Sequence, residues 1–267
     1  MKKVIKIFDS LSHPVLGTDL RRISSSGDFG IHELLVEMES NNISKTLFTW
    51  NKELNISDQK LFINIIRQFQ DKLVPVLLFP LKVLDRAVDV SSSLKKIKLL
   101  GYRGIKLHPR ISGFSLDNPL LIPVIKEAND LNLAVLLCTY FYDKPGYGKT
   151  NSIESLSELL YNLDGSKLIL MHGGSVRLME TIEIVRAFNN ALLDLSFTIC
   201  KYEGSSLDLD IQFAFSQFDK RICIGSDYPE FSLAQLRNRF DLFSKQLSVE
   251  KSENIAYKNL THFLRLE

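Results

Sequence analysis

The sequence predicts a single (β/α)8 TIM barrel over residues 1–267, on three observations. Short apolar runs alternate with helical patterns to the end of the chain, the mark of a parallel sheet. Eight such runs can be counted, enough to close a barrel. Three of them stop in residues suited to chemistry: Gly104-Ile-Lys-Leu-His-Pro-Arg110, Lys167-Leu-Ile-Leu-Met-His-Gly-Gly174 and Arg221-Ile-Cys-Ile-Gly-Ser-Asp-Tyr-Pro229. A barrel places its chemistry at the C-terminal ends of its strands, so such residues belong there.

Taken in order, strand one is Val4–Phe8, strand two Thr46–Trp50 and strand three Val74–Phe79. Between the second and third, Leu61, Phe62, Ile65, Ile66 and Phe69 mark one face of a helix over Leu61–Phe69. Asp85–Leu100 has the same period and leads to strand four, Gly104–Leu107. Pro119–Leu131 follows, with Pro119 near a helix start, where its missing N–H costs nothing. Strand five, Ala134–Thr139, precedes helix Ser152–Leu163; strand six, Lys167–Met171, precedes helix Val176–Phe188. Strand seven is Ala191–Phe197 and strand eight Arg221–Ile224, with a helix over Leu233–Leu247. Ser252–Leu266 reads as a final helix under the barrel. Most strands are near-continuously apolar, as strands buried on both faces are. The long irregular stretches, Leu11–Gly30, Pro109–Asn118 and Tyr140–Asn151, follow strands one, four and five, where a barrel keeps its substrate loops. Within them Ser24–Gly27 reads as mobile, and Tyr142–Gly148 as a lid or specificity loop.

Hydrophobic residues make up 45% of the chain, enough for a large core. Lys plus Arg number 33 against 31 Asp plus Glu, a net charge of +2. That balance leaves no electrostatic footprint for nucleic acid or an anionic membrane. The basic opening is broken by Lys6 and Asp9 too soon for a signal peptide, and no run reaches membrane-spanning length. Cys138, Cys200 and Cys223 cannot all pair and show no C-x-x-C spacing, which points to a reduced, cytoplasmic setting. Asn55-Ile-Ser57 is then no glycosylation signal. Homo-oligomerisation stays open.

Strand one leads to His13, strand five to Cys138, strand six to His172 and strand eight to Asp227. Imidazole, thiolate and carboxylate are the ligand set of zinc. Lys106 and His108, two apart, face the same way. Each has a bland reading beside the functional one. His172 can be a structural histidine before Gly173 and Gly174, Asp227 a turn or cap residue, and His13 a loop residue displaced by Pro14. Lys106 can be a core lysine snorkelling to the mouth, with His108 a partly buried histidine beside it. Arg110 is either a clamp for carboxylate or phosphate or an exposed loop charge. Cys138 can be a small hydrophobe, as Cys200 and Cys223 are read to be. His32 and His262 read as surface residues, and Tyr140, Tyr142 and Tyr147 either line the pocket or pack the loop.

These motifs resemble those of the amidohydrolase superfamily, in the branch of decarboxylases and hydrolases related to aminocarboxymuconate-semialdehyde decarboxylase. The resemblance rests on Gly104-Ile-Lys-Leu-His-Pro109, His172-Gly-Gly174 and Gly225-Ser-Asp-Tyr-Pro229, and runs from Ile7 to Ile255-Ala-Tyr-Lys-Asn259. It implies a metal bound by an Asp-x-His-x-His motif on strand one, a histidine ending strand five, His172 and Asp227. Here strand one leads to Asp9-Ser-Leu-Ser-His13, so Leu11 replaces the first histidine, and Cys138 replaces the strand-five ligand. The ligand set is reduced to His13, His172 and Asp227, with Cys138 as a replacement that zinc accepts. At most one divalent ion, zinc or manganese, is expected. In some relatives a strand-four lysine is carboxylated; some work without metal.

Three functions follow as expectations. A metal-assisted hydrolase would activate water at His13, His172 and Asp227, with Lys106, His108 and Arg110 on the substrate's anionic end. A metal-free hydrolase or lyase would use Asp227 as base and Lys106 with His108 for the developing oxyanion. A non-catalytic barrel would bind a small metabolite or a partner protein, and Leu11 is the residue that keeps this reading open. In the first two, the substrate is a small anionic metabolite, because Lys106 and Arg110 converge on it.

Overall fold

A computed structural model of the chain describes residues 4–14, 30–81, 87–141, 151–163 and 165–266. Eight strands form one parallel sheet in chain order: β1 Ile7–Ser12, β2 Ile43–Thr49, β3 Leu73–Leu78, β4 Gly104–Leu107, β5 Ala134–Cys138, β6 Leu168–Met171, β7 Ala191–Asp194 and β8 Ile222–Cys223. A parallel bridge between Ser12 and Tyr228 brings the last strand back to the first. Ser10 N–H donates to Ile224 O at 3.0 Å, and Asp227 N–H to Leu11 O at 3.0 Å. The molecule is a (β/α)8 barrel, as the alternation predicted.

Helices cover the outside: α1 Ile31–Ser40, α2 Ile56–Ile66, α3 Ala87–Leu100, α4 Pro109–Ser112, α5 Leu121–Asp130, α6 Ile153–Tyr161, α7 Leu178–Ala187, α8 Thr198–Lys201, α9 Leu207–Gln217, α10 Leu233–Ser244, α11 Val249–Glu253 and α12 Asn259–Leu264. Side-chain alternation sorts the strand residues into two populations. Ile105, Leu107, Val135, Leu137, Leu168 and Leu170 pack outward against helices. Leu47, Val76, Leu136, Ile169, Met171 and Leu192 meet in the barrel interior. Leu260 of α12 belongs to that inner cluster, so the last helix packs under the barrel as expected. Among the described residues no helix is long and apolar enough to cross a membrane.

Four expectations are corrected. Strand one lies at Ile7–Ser12, not Val4–Phe8. Its polar residues Asp9, Ser10 and Ser12 are buried and bonded inside the fold, so a polar stretch serves as strand. Between the pairs Asp9–Thr46 and Ser12–Phe48, β1 has one residue more than β2, a bulge that turns both Phe8 and Leu11 into the interior. Strand seven stops at Asp194 rather than Phe197, because Phe197 has φ 63° and ψ −58° and Thr198 N–H reaches back to Ser196 O at 2.6 Å. That is a three-residue γ-turn of the strained, positive-φ kind. The stretch after strand four opens with α4, capped by His108, whose Nδ1 accepts from Ile111 N–H at 3.3 Å. Helices α1 and α9 lie where no helix was expected. The segments Ser24–Gly27 and Tyr142–Gly148, with Tyr142 and Tyr147, lie outside the described residues.

Candidate active site at the barrel mouth

The strand ends bring His13, Lys106, His108, Cys138, His172 and Asp227 to one end of the barrel, all six but Asp227 nearly free of solvent contact. Two supports hold the rim. Asp9 ties β1 to the β8 end: its carboxylate accepts from Ser226 N–H at 2.9 Å, Ser226 Oγ at 2.7 Å, Ser12 Oγ at 2.9 Å and Leu11 N–H at 3.1 Å. Burial pushes its pKa up to about 6 against those hydrogen bonds. Gly225 lies beneath; a Cβ there would stand 2.8 Å from Asp9 Oδ1 and 2.9 Å from Ser196 Cβ, so the seam has room only for glycine. Asp194, at the end of β7, accepts from Ser10 Oγ and Ser196 Oγ, and from Ser196 N–H at 2.9 Å. Asp194 is a site carboxylate that the sequence reading passed over, though Leu192-Leu-Asp194 obeys the rule of an apolar run ending in a polar residue.

His13 is placed by its hydrogen bonds. Nδ1 donates to Thr49 O at 2.7 Å; a carbonyl only accepts, so Nδ1 carries hydrogen. Nε2 lies 3.0 Å from Asp227 Oδ1 and 3.5 Å from Lys106 Nζ. The contact with Asp227 is a hydrogen bond only with a proton between the two. Neutral His13 leaves Nε2 bare, able to accept from Lys106; imidazolium turns Nε2–H to the Asp227 carboxylate. Burial pushes the Asp227 carboxyl up, but His13, His172 and Lys106 outweigh it and hold it well below the carboxylate range. For His13 the balance runs the other way: burial and the Lys106 charge lower its pKa, despite Asp227. The ring holds its second proton weakly. Burial also lowers Lys106, with Asp227 opposing.

His172 follows β6 with φ 65° and is likewise anchored, Nδ1 donating to Ser196 O at 3.0 Å. Burial would lower it, but Cys138 and Asp227 raise it to about 9, so it is cationic at neutral pH. Burial would also keep the Cys138 thiol protonated, yet His108 and His172 hold it well below the thiol range. His108 uses Nδ1 as an acceptor, so its Nε2 carries the hydrogen, and burial lowers its pKa. A neutral donor and a cationic one thus face one thiolate. Cys200 and Cys223 behave as the core residues expected, their thiols raised by burial. Asp227 has φ 60°, and left-handed backbone is tolerated by Asp and His but costly for Phe197. The Phe197 ring packs edge-on against His172 at 5.7 Å, Tyr140 at 5.3 Å and Phe231 at 5.7 Å. Arg110 sits over Tyr140 at 5.0 Å, on the same wall, and its charge reaches Lys106. Both His32 and His262 are exposed, as read.

A divalent ion would have to use the donors at the mouth. Leu11, where a ligand would stand, is wholly buried in the apolar interior. The Lys106 ammonium faces His13 Nε2, the atom an ion would need. Among the described residues no three His, Cys, Asp or Glu side chains group as a metal-holding set, so His13, Cys138, His172 and Asp227 share the mouth without forming one. The arrangement does not fit a divalent ion.

Residues 80–266 match the amidohydrolase family model. No curated protein sequence matches the chain. Among solved structures, an uncharacterized TIM-barrel protein from Bordetella bronchiseptica is 18% identical, with TM-score 0.78 over 98% of this chain and 99% of its own. A probable 2-pyrone-4,6-dicarboxylic acid hydrolase from Acinetobacter baumannii, solved with citric acid bound, is 14% identical, with TM-score 0.65 over 98% and 100%. A 5-carboxyvanillate decarboxylase from Novosphingobium aromaticivorans, solved with bound manganese, is 11% identical, with TM-score 0.66 over 99% and 97%.

Proposed function

This chain belongs to the amidohydrolase family, and from that premise we propose that it is a hydrolase or decarboxylase-like lyase working without a resident metal on a small carboxylate-bearing metabolite. One observation carries the reading: the line Lys106 Nζ, His13 Nε2, Asp227 Oδ1, at 3.5 and 3.0 Å, inside the mouth. Lys106 and His172 supply positive charge for a carboxylate or a developing oxyanion. His13 and Asp227 share one transferable proton. With it in place, His13 is an acid whose pKa Lys106 has lowered; once it is given up, the pair takes a proton from water or substrate. The neighbour solved with citric acid and the decarboxylase neighbour act within the same fold, and support a carboxylate as the group held.

The competing reading places zinc or manganese on His13, His172 and Asp227 with Cys138. It is tested by stripping the protein with chelator, assaying a panel of lactones, esters and aryl carboxylates, and measuring metal by elemental analysis. Activity retained in the stripped protein supports the metal-free reading. Activity lost on stripping and restored by one equivalent of zinc or manganese overturns it. Leu11 favours a binding protein, and a ligand that raises the melting temperature with no turnover across the panel would support that.

A further inference from the structure

We propose that the Thr49 hydroxyl is a substrate-binding group, donating a hydrogen bond to the oxyanion that lies against Lys106 and fixing it beside His13. The inference rests on the carboxylate-binding reading of the mouth and adds a residue to it. Thr49 ends β2 and is wholly buried. Two residues earlier, Leu47 faces the barrel interior, so alternation turns Thr49 the same way, one layer higher. Its carbonyl accepts His13 Nδ1–H at 2.7 Å, so the end of β2 that carries the hydroxyl adjoins the imidazole. In register Thr49 pairs with Val76 on β3, and Leu78, two further on, pairs with Lys106 on β4. Thr49, Leu78 and Lys106 therefore form one wall of the mouth.

The other buried hydroxyls on and beside the strand ends are engaged, save Ser112 Oγ on α4, beyond the end of β4. Ser10 and Ser196 bond Asp194, Ser12 and Ser226 bond Asp9, and Thr139 donates to Met171 O at 2.5 Å. Thr49 Oγ1 has no hydrogen-bond partner among the described residues. A buried hydroxyl without a partner is unfavourable, and is retained where a bound group completes it. The Lys106 ammonium stands at the same end, 3.5 Å from the His13 ring that Thr49 O holds, so an anionic oxygen, of carboxylate or phosphate, is the group that suits the place. A hydroxyl fixed on a strand specifies position as well as charge, which Lys106 alone does not.

The test uses Thr49→Val, which keeps the shape and removes the hydroxyl, and Thr49→Ser, which keeps the hydroxyl. Apparent Kd values for succinate and for inorganic phosphate are read from the dependence of Tm on their concentration, in the natural protein, both variants and Lys106→Met. Expected for Thr49→Val is about tenfold weaker binding of whichever probe binds, with an unliganded Tm at or above the natural one. Expected for Thr49→Ser is binding within about threefold of natural. Binding unchanged in Thr49→Val while Lys106→Met abolishes it overturns the Thr49 assignment and leaves the carboxylate reading standing. No binding of either probe by the natural protein removes that reading, and this one with it. A lower unliganded Tm in Thr49→Val with binding intact shows a hydroxyl used for the fold, and overturns the proposal.

Discussion

The two histidines His13 and His172 are held in the same manner: both are buried, and both donate from Nδ1 to a main-chain carbonyl, Thr49 O and Ser196 O. Their charges nevertheless diverge. Burial and Lys106 lower His13, whereas His172 is raised to about 9 through Cys138 and Asp227. The shared anchor fixes the tautomer and the direction of each ring. What faces the other nitrogen fixes the charge, and those neighbours come from other strands. The role of a histidine in this barrel is set by the strands around it.

Replacing the carboxylate that both rings sense should give the largest effect. Asp227→Asn is expected to lower kcat/KM by about 10²–10⁴ on any substrate the panel identifies, the range of acid–base catalysis. An effect below tenfold would remove Asp227 from the proton transfer. Next is the partner of His172: Cys138→Ala should bring its pKa down from about 9 by more than one unit, as followed by NMR of the imidazole. A value staying near 9 would assign the charge to Asp227 instead. Third, Lys106→Met should raise the pKa of His13, because a cation beside it is lost; no change would leave burial as the only cause.

The smallest effect is on stability against pH. Folded, His172 and Cys138 hold one proton between them, on the ring. Unfolded, between pH 6.5 and 9, they also hold one, on the thiol. The pair therefore adds no slope in that window, although each member is strongly shifted. His13 is different: its folded pKa is depressed below 6.5, so its contribution is present above that value and is lost as pH falls through the folded pKa. In Tm measurements from pH 5 to 9, His13→Gln should have a shallower acid limb than the natural protein, and the two curves should run parallel above pH 7. Equal acid limbs would show that His13 titrates normally.

Much of this was legible in the chain. The barrel followed from alternation, and Lys106, His108, Cys138, His172 and Asp227 from apolar runs that end in polar residues, since a strand buried on both faces exposes chemistry only at its tip. Strand one was misplaced because Asp9, Ser10 and Ser12 look like loop; their partners, Ser226 and Asp194, are about 200 residues away in sequence. The left-handed backbone of His172 and Asp227 and the γ-turn at Phe197 were hidden because no residue type there demands them. Charge was hidden most fully: residue identity says that His13 and His172 can titrate, and only their cross-strand neighbours say which way.

The closeness of the seam at Gly225 has a consequence for how such a barrel can diverge. The residue does not have the left-handed backbone that favours glycine, so conformation alone would admit other side chains; Asp9, Ser10 and Ser196 fill the space where a Cβ would go. Gly225 cannot drift while those three stay; loss of Ser10 or Ser196 takes a donor from the buried Asp194, and loss of Asp9 takes the acceptor from Ser12 and Ser226. They form a linkage group, inherited whole or exchanged whole. Innovation is channelled to the opposite arc, from Thr49 to Cys138, where single replacements such as histidine to cysteine can be sampled without breaking the ring.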